Sequence, residues 1–125
     1  MKPFLLLSIM LLSPGIAAAE RYVYPFNMMT GEQVLSGILD ETATIADEYR
    51  SNLTQYYLNG IKDGTQGVTW CFTGNMLPHE LNRELAAAIK ATRKPAELKG
   101  NAGPLIRDEL RRLYPCRPQN MKGKS

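Results

Sequence analysis

The sequence predicts a small all-α protein, a bundle of about four helices held by one disulfide. Three segments repeat apolar residues at spacings of three and four, which is the helical period, and strand-like alternation occurs only weakly at residues 21–26. The chain contains two cysteines. The part that follows the predicted signal peptide is long enough for one domain with a modest core.

The first 19 residues have the layout of a secretory signal peptide. Lys2 precedes an apolar run at residues 4–12, Pro14 and Gly15 break the helix, and Ala17–Ala19 forms a small-residue cleavage site. We expect cleavage after Ala19, with no membrane anchor left behind, because the apolar run is too short to span a bilayer. The alternative is a buried N-terminal helix. The predicted divisions are a signal peptide at 1–19, a helical domain at 20–116 and a flexible basic tail at 117–125.

Two helices are predicted in the first half of the domain. Thr30 and Gln33 form a capping box that opens a short helix carrying Val34 and Ile38. The longest helix is expected over 42–62. Its predicted core-facing stripe consists of Ile45 or Ala46, Tyr49, Leu53, Tyr56, Tyr57, Gly60 and Ile61. Gly60 is expected at a close helix crossing, and Gly64 is expected to end the helix.

Two further helices are predicted in the second half. Pro78 suits a first helical position, and Leu81, Leu85 and Ile89 repeat along a helix that ends near Thr92. A polar connection follows at 93–103. Pro104 is expected to open the last helix, which Pro115 stops. Its inward residues are predicted to be Leu105, Ile106, Leu110, Leu113 and Tyr114, and its outward residues Arg107, Arg111 and Arg112.

Two cysteines in an exported chain predict one disulfide, between Cys71 and Cys116. In the chain-entropy model a bridge of this span stabilises the fold by up to about 4 kcal/mol. The loop at 64–77 contains Cys71, Trp70 and Phe72. These aromatic side chains either project as binding anchors or fold inward and cap the core, and the sequence leaves both interpretations open.

Catalytic and metal-binding chemistry finds little support in the residues. Cys71 and His79 form the only conceivable cysteine–base pair, and disulfide formation would remove the nucleophile. Two cysteines and one histidine lack the paired spacing of a metal site. Adjacent carboxylates such as Asp108 and Glu109 are expected to be solvated. The net charge of +3 is dispersed, unlike a nucleic-acid footprint. We expect no cofactor and no nucleic-acid partner.

Several motifs together resemble a known family. The segment "YYLNGIKDG" at 56–64 precedes Cys71, a helix rich in Leu and Ala follows, and the last helix closes with Tyr114-Pro115-Cys116. In order and spacing, residues 30–116 resemble the type VI secretion amidase immunity (Tai) proteins and the related Rap resistance proteins. The sequence departs from the family's pattern in two places. The first helix has Gly37-Ile38 where many relatives have a cysteine. Relatives often have a proline soon after the cysteine that matches Cys71, whereas the first proline here is Pro78.

The resemblance implies a periplasmic, all-helical and often homodimeric protein without catalytic activity. Such proteins bind injected papain-like cysteine amidases that cut peptidoglycan, and they block the catalytic cleft. The resemblance also implies that Cys71 and Cys116 are the family's disulfide. It makes Tyr57, Gly60 and Asp63 the structural signature. From physical reasoning, we expect the Asp63 carboxylate to accept hydrogen bonds from loop amides.

Two surfaces are predicted to contact the effector. The loop is expected to enter or border the effector's cleft through Gly64, Thr65, Gln66, Gly67, Thr69 and Trp70. The second surface is the polar face of the third helix, with His79, Asn82 and Arg83. Two other functions compete with this interpretation. One is a dimeric periplasmic stress chaperone that binds unfolded clients, and the other is an enzyme that depends on a free Cys71.

Overall fold

The computed structural model describes residues 28–118, so the predictions for residues 1–27 and for 119–125 lie outside the described part. This part contains five helices, which are α1 (Gly31–Leu39), α2 (Ile45–Thr65), α3 (Pro78–Thr92), α4 (Pro95–Leu98) and α5 (Ala102–Leu113). Between residues 28 and 118 the only β pairings are two isolated bridges. The predicted all-α class is confirmed. The one-turn helix α4 lies in the segment 93–103, which was predicted as a polar connection.

Capping boxes begin the first two helices. The amide of Gln33 donates to the Thr30 hydroxyl at 3.2 Å, and the Thr30 amide donates to the Gln33 side chain at 2.9 Å, as predicted. A second box, which the sequence analysis missed, links Thr44 and Asp47. The bond from the Thr44 hydroxyl is the main cause that lowers the pKa of Asp47. This box sets the start of α2 at Ile45 rather than at residue 42.

The core lies between α1, α2, α3 and α5. Helix α1 packs on α2 and α3, and α5 packs on the same two helices. No described helix is long and apolar enough to cross a membrane. The buried apolar residues are Val34, Ile38, Leu58, Trp70, Leu81, Leu85, Ala86, Ile89, Ala102, Ile106 and Leu110. Most of the predicted core residues of α1, α3 and α5 belong to this set or pack against it.

Helix α2 faces the core with a side that only partly overlaps the predicted one. Its buried residues are Thr54, Leu58 and Lys62. Of the predicted stripe, Tyr57 and Ile61 pack against the core. The other large residues turn outward: Ile45 is 87%, Tyr49 66%, Leu53 45% and Tyr56 73% exposed. The reason is a close crossing with α1 at Gly37, where a Cβ atom would lie 2.1 Å from the Thr54 hydroxyl. Small residues at this crossing fix Thr54 inward, which leaves the large apolar residues on the opposite side.

The glycines of α2 have different roles from those predicted. At Gly60, no atom of another described helix or loop lies within 4 Å of the place where a Cβ would be, so the close crossing predicted there is absent from the described chain. Gly64 does not end the helix, because α2 continues to Thr65. The turn that follows is made by Gly67, whose φ of 79° is the left-handed conformation that favours glycine.

Glu109 is buried, contrary to the expectation that it is solvated with Asp108. Arg112 donates two hydrogen bonds to its carboxylate, and the Thr92 hydroxyl donates a third at 3.3 Å. An Arg93 nitrogen lies 3.8 Å away. These partners compensate the loss of hydration and tie α5 to the end of α3. Helix α5 also begins two residues earlier than predicted, because Asn101 caps the Gly103 amide at 3.0 Å.

Candidate functional site

The α2–α3 loop, residues 66–77, opens with a tight turn that presents its tip to solvent. The Gly67 amide donates to the Trp70 carbonyl at 2.7 Å. The amides of Val68 and Thr69 donate to the Thr65 carbonyl at 3.2 and 2.9 Å. Gln66, Gly67 and Val68 are exposed, and Val68 is 77% exposed. Gln66 and Gly67, two of the residues expected to contact the effector, are thus accessible to a partner, whereas Thr65 is half-buried.

Trp70 holds this turn from inside. Its indole is only 3% exposed, and its N–H donates to the Lys62 carbonyl at 3.2 Å and to the Thr65 hydroxyl at 3.0 Å. Of the two interpretations that the sequence left open, the inward one describes Trp70. Its burial conflicts with a direct contact to a partner, and the indole instead positions the exposed turn around it.

Asp63 does not fix the loop. The amides of the turn donate to the carbonyls of Thr65 and Trp70, and the Asp63 residue is exposed. The prediction that its carboxylate accepts hydrogen bonds from loop amides is therefore wrong. Of the other two signature residues, Tyr57 is half-buried against the core, where burial raises the pKa of its phenol. Gly60 is exposed on the outer side of α2.

The centre of the loop is tied to the end of α5. The predicted Cys71–Cys116 disulfide is present, with 4.7 Å between the Cα atoms. The Cys71 amide also donates to the Tyr114 carbonyl at 2.9 Å. The Phe72 ring packs edge-on against Tyr114, with 4.9 Å between the ring centroids. Because the chain has only these two cysteines, the disulfide leaves no thiol that His79 could activate.

A cleft of about 330 Å³ lies between the end of α2, the loop and the start of α3. Its apolar walls include Phe72, Met76 and Leu81, and Lys62 and Asp63 contribute charge. The Lys62 ammonium donates to the Pro78 carbonyl at 3.1 Å. Burial lowers the pKa of Lys62, and the nearby Asp63 charge opposes this effect. The complete lining is Asn59, Lys62, Asp63, Gln66, Trp70, Phe72, Gly74, Met76, Pro78 and Leu81.

The second predicted surface, on α3, is only partly available. His79 and Arg83 are exposed and share a shallow groove with Glu80, Glu84 and Ala87. Asn82 is completely buried. Its side-chain amide donates to Gln55 and, at 3.1 Å, to Asn59, so it joins α3 to α2. The prediction that Asn82 belongs to a contact surface is wrong, because its side chain is enclosed by the core.

Several site residues were not predicted. Val68 and Leu77 are large apolar side chains that the loop exposes, Leu77 at 57%. The sequence contained a signal for Val68, because an apolar residue between loop residues such as Gly67 and Thr69 can indicate an exposed contact residue. The cleft residues Phe72 and Met76 come together only when the disulfide folds the loop back, which local sequence patterns do not report. Within residues 28–118, no group of three His, Cys, Asp or Glu side chains is placed to hold a metal ion.

Comparison with models of protein families gives a match. A family model described as Rap1a immunity proteins matches residues 30–116. The matched range begins at the Thr30 cap and ends at Cys116, so it contains all five helices, the α2–α3 loop and the disulfide. No curated protein matches the chain significantly.

Proposed function

Because the chain belongs to the Rap1a immunity protein family, we propose that it is a periplasmic protein that binds and inhibits a cysteine amidase effector of a type VI secretion system. The amidase would cleave peptidoglycan, and the immunity protein would block its catalytic cleft without catalysis or a cofactor. The family match over most of the described chain carries this proposal. The resemblance of the "YYLNGIKDG" segment and of the cysteine pattern supports the amidase target and a homodimer. The signal-peptide layout supports the periplasm.

The α2–α3 loop is the proposed inhibitory element. An inhibitor that occludes a cleft gains affinity when its inserted segment is already ordered, because less conformational entropy is lost on binding. The turn at 66–70 is ordered by its own backbone bonds and by the Trp70 indole. Val68 stands at its tip as an exposed apolar residue. We propose Gln66, Gly67, Val68 and Thr69 as the contacts, with Gly64 and Thr65 supporting them from the end of α2.

The cleft beside the loop is proposed to receive a side chain of the effector. Its apolar walls and the Lys62–Asp63 pair offer burial together with hydrogen bonding, the usual combination of an interface pocket. The exposed residues His79 and Arg83 lie in the first half of α3, whose start also lines the cleft, and they extend the proposed surface. Both regions flank the loop in sequence, so one partner could cover them together.

Inhibition of amidase effectors tests the proposal. Purified type VI peptidoglycan amidases would be assayed on isolated cell-wall sacculi with increasing amounts of this protein. Val68→Glu should weaken inhibition of the cognate amidase by roughly 30-fold or more, the scale of an interface hot spot. Ala96→Glu adds the same charge at an exposed position on α4 and should leave inhibition unchanged. A deletion of residues 64–68 would also remove the tip of the loop. The point substitution is the better test, because the deletion would remove Thr65, whose hydroxyl accepts a hydrogen bond from the Trp70 indole.

The other outcomes distinguish the competing interpretations. If inhibition survives Val68→Glu and falls with His79→Ala/Arg83→Ala, the α3 surface replaces the loop as the inhibitory element. If no amidase is inhibited and the protein prevents aggregation of unrelated unfolded proteins, the chaperone function is favoured. A free thiol in the native protein would favour the cysteine-dependent enzyme.

A further inference from the structure

The cleft between α2, the α2–α3 loop and α3 contains a positive charge that the chain compensates only in part. Lys62 is 5% exposed, and its ammonium has three protons to donate. Among the described residues, the Pro78 carbonyl at 3.1 Å is its only hydrogen-bond acceptor. The neighbouring Asp63 is exposed, and no carboxylate within residues 28–118 forms a salt bridge with Lys62.

A buried ammonium is unfavourable unless it is paired, because the protein interior solvates a charge less well than water does. Burial accordingly lowers the pKa of Lys62. A carboxylate from outside the chain would compensate the charge and accept one of the protons that Pro78 leaves free. Asp63 opposes such a carboxylate only weakly, because its own carboxylate is exposed and water screens the repulsion.

The amide of Asn59 adds a second donor to the cleft. Asn59 lines the cleft one turn before Lys62. Its side-chain oxygen accepts a hydrogen bond at 3.1 Å from Asn82, which is completely buried. The group that remains for a partner is the NH₂ of Asn59, which can only donate. One turn after Lys62, Gln66 donates to the Phe72 carbonyl at 3.4 Å and holds the loop side of the cleft. The cleft therefore offers donors and requires an acceptor.

Building on the proposed function, we propose that the cleft receives an acidic side chain of the effector, whose carboxylate accepts hydrogen bonds from Lys62 and Asn59. The volume of about 330 Å³ lies at the lower end of the range of ligand pockets, which suits a single side chain. The methylene groups of that side chain contact the apolar walls at Phe72 and Met76. Gln66 belongs to both the cleft and the exposed turn, so one partner reaches both.

Asn59→Asp tests the preference for an acceptor. Aspartate keeps an oxygen for the bond from Asn82 and replaces only the donating NH₂, so the fold should be retained. The new carboxylate pairs with Lys62 and repels an acidic partner. We expect the dissociation constant for the cognate amidase, measured by calorimetry, to rise about 30-fold or more. Asn52→Asp is the matched control, because it makes the same change at an exposed position of α2 outside the cleft. Equal affinities of the two variants would overturn the proposal.

Lys62→Met separates recognition from a structural role. Methionine retains an apolar chain and removes the ammonium. We expect the urea midpoint to stay unchanged or to rise, because a buried and incompletely paired charge is removed. The affinity for the amidase should nevertheless fall about 30-fold. A loss of affinity that merely follows a loss of stability would assign Lys62 to support of the Pro78 carbonyl and contradict the proposal.

Short peptides test the cleft without an effector. Trp70, the only tryptophan of the chain, lines the cleft, so its fluorescence reports on an occupant. A peptide with glutamate between apolar residues should bind at least about 10-fold more tightly than its glutamine counterpart, and Asn59→Asp should remove this difference. Equal binding of the two peptides would overturn the proposed carboxylate recognition even if an amidase is inhibited.

The peptide result also distinguishes this proposal from the proposed function. Selectivity for the glutamate peptide in a protein that inhibits no amidase would contradict the proposed function and the identity of the partner, but not the recognition of a carboxylate by Lys62 and Asn59. Soluble peptidoglycan fragments provide a further comparison, because their stem peptides also carry carboxylates. Tighter binding of these fragments than of the glutamate peptide would show that the partner is the cell wall and overturn the proposed contact with the effector.

Discussion

At the residue scale, Gly37 determines how the first two helices meet. A Cβ at this position would lie 2.1 Å from the hydroxyl and 2.7 Å from the Cβ of Thr54. Thr54 is completely buried, and its hydroxyl donates to the Arg50 carbonyl of its own helix at 2.9 Å. Because Thr54 is buried and its Cβ is fixed to the backbone of α2, it cannot move away from an added methyl group without shifting the helix. The absence of one carbon atom therefore sets the distance between α1 and α2.

Gly37→Ala should destabilise the protein by about 2 kcal/mol, because the added methyl group overpacks this crossing and the helices must separate. Gly64→Ala is the control, since Gly64 also lies in a helix and its Cβ position is open. This substitution should raise stability by up to about 1 kcal/mol through helix propensity. Urea denaturation of both variants measures the difference, and equal stabilities would show that α1 and α2 can separate freely at Gly37.

Individual polar residues mark the limit of sequence-based prediction. The Thr30 capping box and the cysteine pair were predictable, because a box depends on local spacing and the pair on the number of cysteines. The burial of Asn82 and Glu109 was not. Their partners, Gln55 and Asn59 in the first case and Thr92, Arg93 and Arg112 in the second, meet them through tertiary packing for the most part. Residue type alone favours exposure for both.

At the element scale, the helical period of α2 was predicted correctly, but the core-facing side was centred on the wrong residues. The prediction followed the largest apolar residues, such as Tyr49 and Leu53, whereas the core takes Thr54, Leu58 and Lys62. A threonine and a lysine face inward because Gly37 admits only a small side chain and because the Lys62 ammonium reaches the Pro78 carbonyl. Hydrophobicity alone therefore does not identify the side of a helix that packs on the core.

The junction of α3 with the end of α5 predicts a response to alkaline pH. Burial, together with the hydrogen bond from the Tyr114 hydroxyl to Glu84, raises the pKa of Tyr114 from 10.0 to about 12. The folded protein thus holds this proton more tightly than the unfolded chain does. The resulting stabilisation is complete below pH 10 and is lost as the pH rises towards about 12.

Tyr114→Phe should therefore make stability fall less steeply over this range, because the substituted ring cannot ionise. Urea midpoints measured from about pH 9 to about pH 12 for both proteins provide the comparison. Burial also raises the pKa of Tyr57, so the stability of the variant should still fall with rising pH, with a smaller slope. Parallel curves for the two proteins would show that the fold does not raise the pKa of Tyr114, so that neither its burial nor its hydrogen bond to Glu84 persists in solution.

At the scale of the whole molecule, the sequence predicted the class, the order of the long helices and the disulfide. It also located the candidate loop between α2 and α3. The exposure of Val68 at the tip was not predicted, because an apolar residue type favours burial. The cleft was not predicted because residues distant in sequence, such as Asn59 and Leu81, line it together with the loop. Phe72 meets Tyr114 across more than forty positions, a contact that no helical period encodes.

Removing the disulfide should weaken both stability and inhibition. The double substitution Cys71→Ser/Cys116→Ser opens a covalent loop with a sequence separation of 45, which costs roughly 3–4 kcal/mol. Thermal unfolding with and without reductant gives the same comparison for the unsubstituted protein. Inhibition of the amidase should fall by more than the folded fraction does, because the loop loses its tie to α5. Full inhibition by the folded double variant would show that the Trp70 bonds alone order the loop.

The disulfide between Cys71 and Cys116 also determines when, after synthesis of the chain, the α2–α3 loop can reach its final structure. Cys71 lies between α2 and α3, whereas Cys116 follows α5, so Cys116 leaves the ribosome only after all five described helices have been made. The loop is therefore completed only after the chain behind it has been made and thiol oxidation has occurred. A newly made, reduced chain contains every proposed contact residue, yet the loop that we propose as the inhibitory element lacks its covalent tie to the end of α5 until the thiols are oxidised.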